Sequence, residues 1–67
     1  MRESEKSKVI KNAEEILEHC SGLIFCIQED LPGSALMNYD RLMRNISEIH
    51  FILEKIRATD PNLKIVR

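Results

Sequence analysis

Long apolar runs and aromatic residues are scarce in this 67-residue chain, which has one tyrosine, two phenylalanines and no tryptophan. The absence of eighteen consecutive apolar residues excludes a membrane-spanning helix, and the polar first residues are not followed by the apolar core of a secretion signal. No predicted helix face has the majority of lysine and arginine that is typical of proteins bound to a membrane surface. We therefore expect an intracellular, cytoplasmic protein without a membrane partner.

Cysteine is also scarce, and the two residues present, Cys20 and Cys26, cannot form a disulfide within one helix. Six residues at about 1.5 Å each separate them by roughly 9 Å along the axis, whereas a disulfide needs Cα atoms within about 7 Å. Free thiols are typical of the cytoplasm. Together with His19 and His50, the cysteines match no zinc-ligand spacing, so we expect no metal site.

The chain has little of what catalysis or nucleotide binding requires. It contains two glycines, and Gly33 alone cannot form a phosphate-binding loop. The two histidines, His19 and His50, are interpreted as boundary side chains of different helices, roughly four residues apart along the molecule. The sequence therefore predicts no catalytic residue, no cofactor and no enzymatic activity.

Neither sign of charge dominates, because 10 lysine and arginine residues stand against 11 aspartate and glutamate residues. The net charge of −1 gives no general reason to expect nucleic acid as a partner. The acidic residues are unevenly distributed, since residues 12–30 carry five carboxylates and no basic side chain. We expect Arg41 and Arg44 to lie beside this acidic run.

What the chain does contain is two long amphipathic patterns. In the second half, apolar residues recur at alternating gaps of four and three, the period of one face of an α-helix. They are Ala35, Tyr39, Leu42, Ile46, Ile49, Leu53 and Ile56. The first half repeats this spacing, and Ile10, Leu17 and Ile24 widen its pattern. Its members are Val9, Ala13, Ile16, Cys20, Leu23 and Ile27. These patterns predict helices over about residues 5–29 and 34–59.

The segment between the predicted helices, residues 30–34, reads Asp-Leu-Pro-Gly-Ser and is a strong turn signal. Pro32 disfavours helical structure in the residue before it. Gly33 is expected to give the backbone the conformational freedom that a turn needs, and Ser34 is expected to cap the second helix. The sequence therefore predicts a turn over residues 30–34.

Three smaller features carry expectations of their own. Ser4 or Ser7 is expected to cap the first helix. Gly22 is expected to face away from the apolar pattern and to cost about 1 kcal/mol relative to alanine. Alternatively, the first helix ends at Gly22 and residues 23–27 form a short strand. Residues 60–67 could pack back on the helices or fray, and the pattern favours neither outcome.

Two helices of similar length joined by about five residues fold back on each other, which predicts an all-α, single-domain antiparallel hairpin. Centring the turn near residue 32 sets Leu23 level with Leu42 and Ile16 level with Ile49. The apolar patterns are wider than one neighbouring helix can cover. We therefore expect dimerisation into a four-helix bundle, or an obligate protein partner that supplies the missing helices.

Two sets of residues are predicted to carry the function. The interface core consists of central apolar residues of both helices: Ile16, Leu17, Leu23, Ile24, Leu42, Ile46, Ile49 and Leu53. The candidate partner patch consists of large apolar residues that face outward or lie near the turn: Phe25, Leu31, Leu36, Met37 and Phe51. Cys26 is expected to be exposed beside this patch.

These features favour a non-enzymatic protein–protein interaction module, such as a small adaptor, regulator or chaperone that packs helices against an apolar groove. The alternative is a small RNA-binding hairpin dimer that uses the outer face of the second helix. In that case Arg41, Arg44 and Arg57 would contact phosphates and Phe51 would stack on a base. Acidic side chains interleave with these arginines, so the pattern disfavours a nucleic-acid partner.

Overall fold

The structure, a computed structural model, describes residues 1–59 of the chain. Within them the chain forms two helices, α1 (Glu3–Gln28) and α2 (Pro32–Thr59), which pack against each other. The predicted all-α hairpin is confirmed. Because α1 continues through Gly22 without a break, the short-strand alternative is wrong. The expectations for residues 60–67 lie outside the described residues.

The start of α1 differs from the prediction, because neither Ser4 nor Ser7 caps it. The helix begins at Glu3, after an extended Arg2. The backbone N–H of Arg2 donates to Oε1 of Glu5 at 3.1 Å. A carboxylate in the first turn therefore accepts the N–H of the residue that precedes the helix, in a position where negative charge also favours the helix dipole.

The start of α2 is also earlier than predicted, because Pro32 is its first residue. Proline suits this position, since its ring presets the helical φ and the missing N–H would have no partner in the first turn anyway. The backbone N–H of Ala35 donates to the carbonyl of Leu31 at 2.9 Å, which closes the first turn. Ser34 consequently lies inside the helix and does not cap it.

The turn between the helices is three residues long and depends on Asp30 rather than on glycine. Asp30 has a φ of 55°, a left-handed conformation that aspartate tolerates better than most residues. The N–H of Leu31 donates to the carbonyl of Cys26 at 2.8 Å, and that of Asp30 to the carbonyl of Ile27 at 3.2 Å. This pair of bonds is the Schellman ending of a helix. Gly33 has no positive φ, so its predicted role in the turn is wrong.

The two helices contact each other along one line of each helix, which we call the inner seam. Its positions recur at gaps of four and three residues, and all of them are buried or half-buried. They are Glu5, Val9, Asn12, Ile16, His19, Leu23 and Cys26 on α1, and Ala35, Asn38, Leu42, Asn45, Ile49, Ile52 and Ile56 on α2. No large side chain of residues 1–59 is fully buried. One copy of the hairpin therefore encloses little dry core.

The centre of the inner seam is polar. Asn45 donates through Nδ2 to Oδ1 of Asn12 and to Oε1 of Glu15, each at 2.8 Å, and both asparagines are buried. Asn12 in turn donates through Nδ2 to the carbonyl of Lys8 at 2.8 Å. Every buried side-chain nitrogen and oxygen in residues 1–59 has a hydrogen-bond partner. The network therefore ties the helices together without leaving an unpaired polar atom.

The pairing of the helices differs from the predicted register. Asn12 lies beside Asn45, whereas a turn centred near residue 32 would have placed it level with Leu53. Much of this shift follows from the turn, which is centred on Asp30. Displacing the centre of a hairpin by one residue moves the pairing by two.

The ion pairs between the helices lie near the open end of the hairpin, away from the turn. Nζ of Lys8 lies 3.4 Å from Oε2 of Glu48, and Nζ of Lys55 lies 3.8 Å from Oε2 of Glu5. Both lysine side chains are well exposed, and ion pairs so accessible to water contribute about 0 to 1 kcal/mol each. Within residues 1–59, neither Arg41 nor Arg44 forms an ion pair with the acidic run, although Asn45, the neighbour of Arg44, bonds Glu15 of that run.

Gly22 faces α2 rather than solvent, which corrects the prediction for this residue. A Cβ atom at Gly22 would lie 2.6 Å from Oδ1 of Asn38. The Asn38 amide is itself held by α2 and α1, because Nδ2 donates to the carbonyl of Ser34 at 3.0 Å and to Sγ of Cys26 at 3.6 Å. The glycine therefore allows the close approach of an anchored side chain.

We expect Gly22→Ala to stabilise the protein only when Asn38 is shortened as well. Alanine gains about 1 kcal/mol of helix propensity, but in the wild-type background it must displace the Asn38 amide. In an Asn38→Ala background the same change should recover that full gain. Urea unfolding of the two single variants and the double variant measures this coupling. Equal effects of Gly22→Ala in both backgrounds would contradict the contact.

Candidate protein-interaction surface

The apolar pattern of each helix is not centred on the inner seam. On α1, Val9, Ile16 and Leu23 lie in the seam, but the alternating members Ala13 and Cys20 each come one residue after a seam position. One residue is a rotation of about 100°, so the centre of the pattern is turned by about 50° away from the neighbouring helix. On α2 the alternating members Tyr39, Ile46 and Leu53 likewise each come one residue after a seam position. Each helix therefore directs half of its apolar side chains away from the other.

Both helices turn their apolar patterns toward the same broad side of the hairpin. In two antiparallel right-handed helices, the positions after the seam on each helix lie on one side, and the positions before it lie on the other. The Lys8–Glu48 ion pair identifies one side, because these residues precede the seam positions Val9 and Ile49. The residues that follow the seam positions consequently share the opposite side.

We call this opposite side the apolar face, and it is an unusual surface for a single chain. Its residues are Ile10, Ala13, Leu17, Cys20, Ile24 and Ile27 on α1, and Leu36, Tyr39, Met43, Ile46, His50 and Leu53 on α2. Its nine large apolar side chains are 40% to 72% exposed. At roughly 150 to 200 Å² for a fully exposed large side chain, they present on the order of 800 Å² of apolar surface. Monomers rarely expose apolar patches beyond about 300 to 600 Å².

The predicted interface core is divided between the inner seam and the apolar face. Four of its members are half-buried in the seam: Ile16, Leu23, Leu42 and Ile49. The other four are exposed on the apolar face: Leu17, Ile24, Ile46 and Leu53. Ile52 is buried although the apolar spacing, which runs through Ile49 and Leu53, did not place it in the predicted core. Its burial follows from the seam through Asn45, a polar position that the apolar pattern could not reveal.

The five residues of the candidate partner patch are all exposed, but the structure does not bring them together. Leu36 belongs to the apolar face, whereas Phe25, Met37 and Phe51 precede seam positions and lie on the other side. Met37 and Phe51 are separated by fourteen residues, or about 21 Å along α2. Leu31 lies in the turn. Cys26, which was expected to be exposed beside the patch, is buried in the seam at 6% exposure.

The side opposite the apolar face carries charges of both signs, and we call it the charged face. Phe51 lies there beside Lys8 and Arg44, around a shallow depression in the surface. Lys8 is already paired with Glu48, and Arg57 is paired with Glu54 at 3.0 Å within α2. The arginines of the RNA-binding alternative are therefore interspersed with carboxylates, and that alternative stays a prediction.

The two histidines are further apart than predicted. His19 lies in the inner seam near the level of Asn38, whereas His50 lies on the apolar face near the open end. In the observed register, roughly 15 Å along the hairpin separates them. Cys20 and Cys26 both lie on α1 as free thiols. Within residues 1–59, no three histidine, cysteine or acidic side chains are grouped so that they could hold a metal ion.

Comparison with known proteins adds no further constraint. No family model, no curated protein and no solved structure matches the chain. No helix in the described part combines the length and the apolar character needed to cross a membrane. The fold and its surface therefore define a class, a two-helix hairpin with one exposed apolar side, and the proposals that follow depend on that surface alone.

Proposed function

We propose that this chain is a non-enzymatic protein–protein interaction module, in the manner of a small adaptor, regulator or chaperone. Its apolar face receives two further helices and thereby completes a four-helix bundle. Those helices come from a second copy of the chain or from another protein. The proposal is supported by one observation above all, the exposure of nine large apolar side chains on one side of the hairpin.

Helices are the ligand that fits this surface. The apolar residues form two ridges, residues 10–27 on α1 and 36–53 on α2, each about 26 Å long. The side chains of another helix can pack between two such ridges. An extended strand would find no partner for its backbone, because both helices satisfy their own backbone hydrogen bonds.

A photo-crosslinking amino acid tests which side of the hairpin meets other proteins. We expect it to capture protein in the producing cells when it replaces Leu17 on the apolar face. The matched control replaces Phe51 on the charged face. Leu17 and Phe51 are both 72% exposed, so the two positions differ only in the face on which they lie. Gel mobility and mass spectrometry of the crosslinked species identify the chain that was captured.

Capture from position 17 that clearly exceeds capture from position 51 supports the proposal, whichever chain is captured. Equal yields from both positions, or no capture from position 17, would refute it. The variants also need the helical circular dichroism of the wild type. Replacing either of two highly exposed side chains should preserve it, since neither contributes to the inner seam.

A further inference from the structure

We infer that the apolar face is covered by a second copy of the same hairpin, turned end for end, so that the two turns lie at opposite ends of a four-helix bundle. This inference rests on the proposed function and names its partner. Four observations carry it: the size of the apolar face, the direction of the apolar patterns, the equality of the two ridges and the distribution of charge along the hairpin.

The size of the apolar face matches that of a stable dimer interface. A standard interface buries about 800 Å² on each partner, and the apolar face presents apolar surface of that order. Its composition also fits, because eleven of its twelve residues are apolar and the twelfth is His50, while the charged residues that follow the outermost seam positions, Lys6 and Arg57, lie beyond it at the open end. Interfaces that are depleted in charge at their centre are typical of permanent homodimers.

The direction of the apolar patterns indicates that two more helices are required. In a square bundle of four helices, each helix points at the common axis about 45° away from the line to its neighbour. In a bundle of three helices this angle is about 30°. The observed displacement of about 50° matches the square arrangement. A second hairpin supplies two helices of the required length at once.

The apolar face is also suited to packing on itself. A two-fold interface needs one surface that is complementary to its own copy. The ridges on α1 and α2 each span eighteen residues, carry apolar side chains at the same gaps of three and four, and run in opposite directions. With the turns at opposite ends, each ridge lies antiparallel over the same ridge of the other copy, so one surface meets its own copy as two-fold symmetry requires.

The distribution of charge selects the end-for-end arrangement. The turn half of the hairpin, residues 18–41, carries four carboxylates and one arginine. The open end, residues 1–11 and 48–59, carries six lysine and arginine side chains and four carboxylates. With the turns at opposite ends, each acidic half lies over a basic end of the other copy. With the turns together, like charges would meet at both ends, which is unfavourable.

The first test is the mass of the full chain in solution by light scattering over a range of micromolar concentrations. We expect twice the chain mass for the wild type and for Phe51→Lys. Leu17→Lys should raise the dimer dissociation constant at least 100-fold and give the monomer mass. Leu17 is 72% exposed in a single copy, so lysine there disturbs nothing unless a second copy covers it. If Leu17→Lys instead unfolds under conditions where Phe51→Lys stays folded, this result also supports a second copy that covers the apolar face.

The second test measures the orientation. A nitroxide label is placed in the turn, on Glu29→Cys, in a Cys20→Ala/Cys26→Ala background with wild-type circular dichroism. Pulsed electron spin resonance should give a distance of roughly 40 to 45 Å between the two labels when the turns are at opposite ends. Turns at the same end would give roughly 25 Å.

The outcomes separate the inference from the proposed function. A monomeric wild type at all concentrations overturns the second copy, while crosslinking of position 17 to a different protein would leave the proposed function standing. A dimer that Leu17→Lys leaves unchanged shows that the apolar face is not the interface. A dimer with the shorter label distance overturns the end-for-end arrangement and retains the second copy.

Discussion

Ile52→Ala should lower the free energy of unfolding by about 2 to 5 kcal/mol, enough to unfold much of so small a protein. Ile52 is 6% exposed and is the largest of the three buried apolar side chains in residues 1–59, the others being Cys26 and Ala35. Shortening it leaves a cavity between α1 and α2. The remaining seam residues cannot fill this cavity, because the helix backbones fix their positions. Urea unfolding followed by circular dichroism at a constant protein concentration measures the effect.

Ile46→Ala is the matched control for this change, because the same residue type is removed from the same helix six positions away. Ile46 is 40% exposed in a single copy. If the apolar face remained in water, its truncation should cost about 1 kcal/mol. If the apolar face is covered, the cost should rise to that of Ile52→Ala. An Ile52→Ala variant that melts like the wild type would contradict the inner seam described above.

Asn45→Ala should cost about 1 to 3 kcal/mol, although it removes no apolar side chain. The change leaves Oδ1 of the buried Asn12 and Oε1 of Glu15 without the donor that each has at 2.8 Å. A buried acceptor without a partner loses its hydration and gains nothing in exchange. The same measurement of unfolding applies, and Asn38→Ala serves as the control because Asn38 makes its bonds to Ser34 and Cys26.

Replacing both asparagines by leucine tests what the polar pair contributes. We expect Asn12→Leu/Asn45→Leu to unfold at the same or a higher urea concentration than the wild type, since an apolar pair needs no hydrogen bonds. The double variant should nevertheless lose the single register, because leucines can pack against several neighbours, whereas the hydrogen bond from Asn45 to Asn12 forms only when these two residues lie side by side. An NMR spectrum with more than one set of amide signals would show this loss. One set of signals with the wild-type pairing would refute a role in register.

Most of the architecture could be predicted from local pattern. The gaps of three and four between Val9 and Ile27, and between Ala35 and Ile56, indicate two amphipathic helices, and the proline between them indicates a hairpin. What could not be predicted is the rotation of each helix about its own axis. A pattern three residues wide leaves several rotations that bury similar apolar area, and the chain adopts one that places Asn12 and Asn45 inside.

The turn, too, could be predicted only in part, for a different reason. Proline and glycine signal that a turn occurs near residues 30–34, but the left-handed residue is Asp30 and Gly33 is helical. Aspartate and glycine both tolerate positive φ, so composition alone does not assign the conformation to one of them. The two-residue difference in the centre of the turn then propagates along both helices and shifts their pairing.

The sequence by itself determined that this protein is a pair of amphipathic helices with more apolar surface than two helices can hide. This follows because periodicity and side-chain chemistry are properties of each segment alone. Only the tertiary structure decided which residues face the neighbouring helix, that Gly22 and two buried asparagines lie between the helices, and that nine of the exposed large apolar side chains gather on one side. Those features depend on how two surfaces fit in space, and no single segment contains that information.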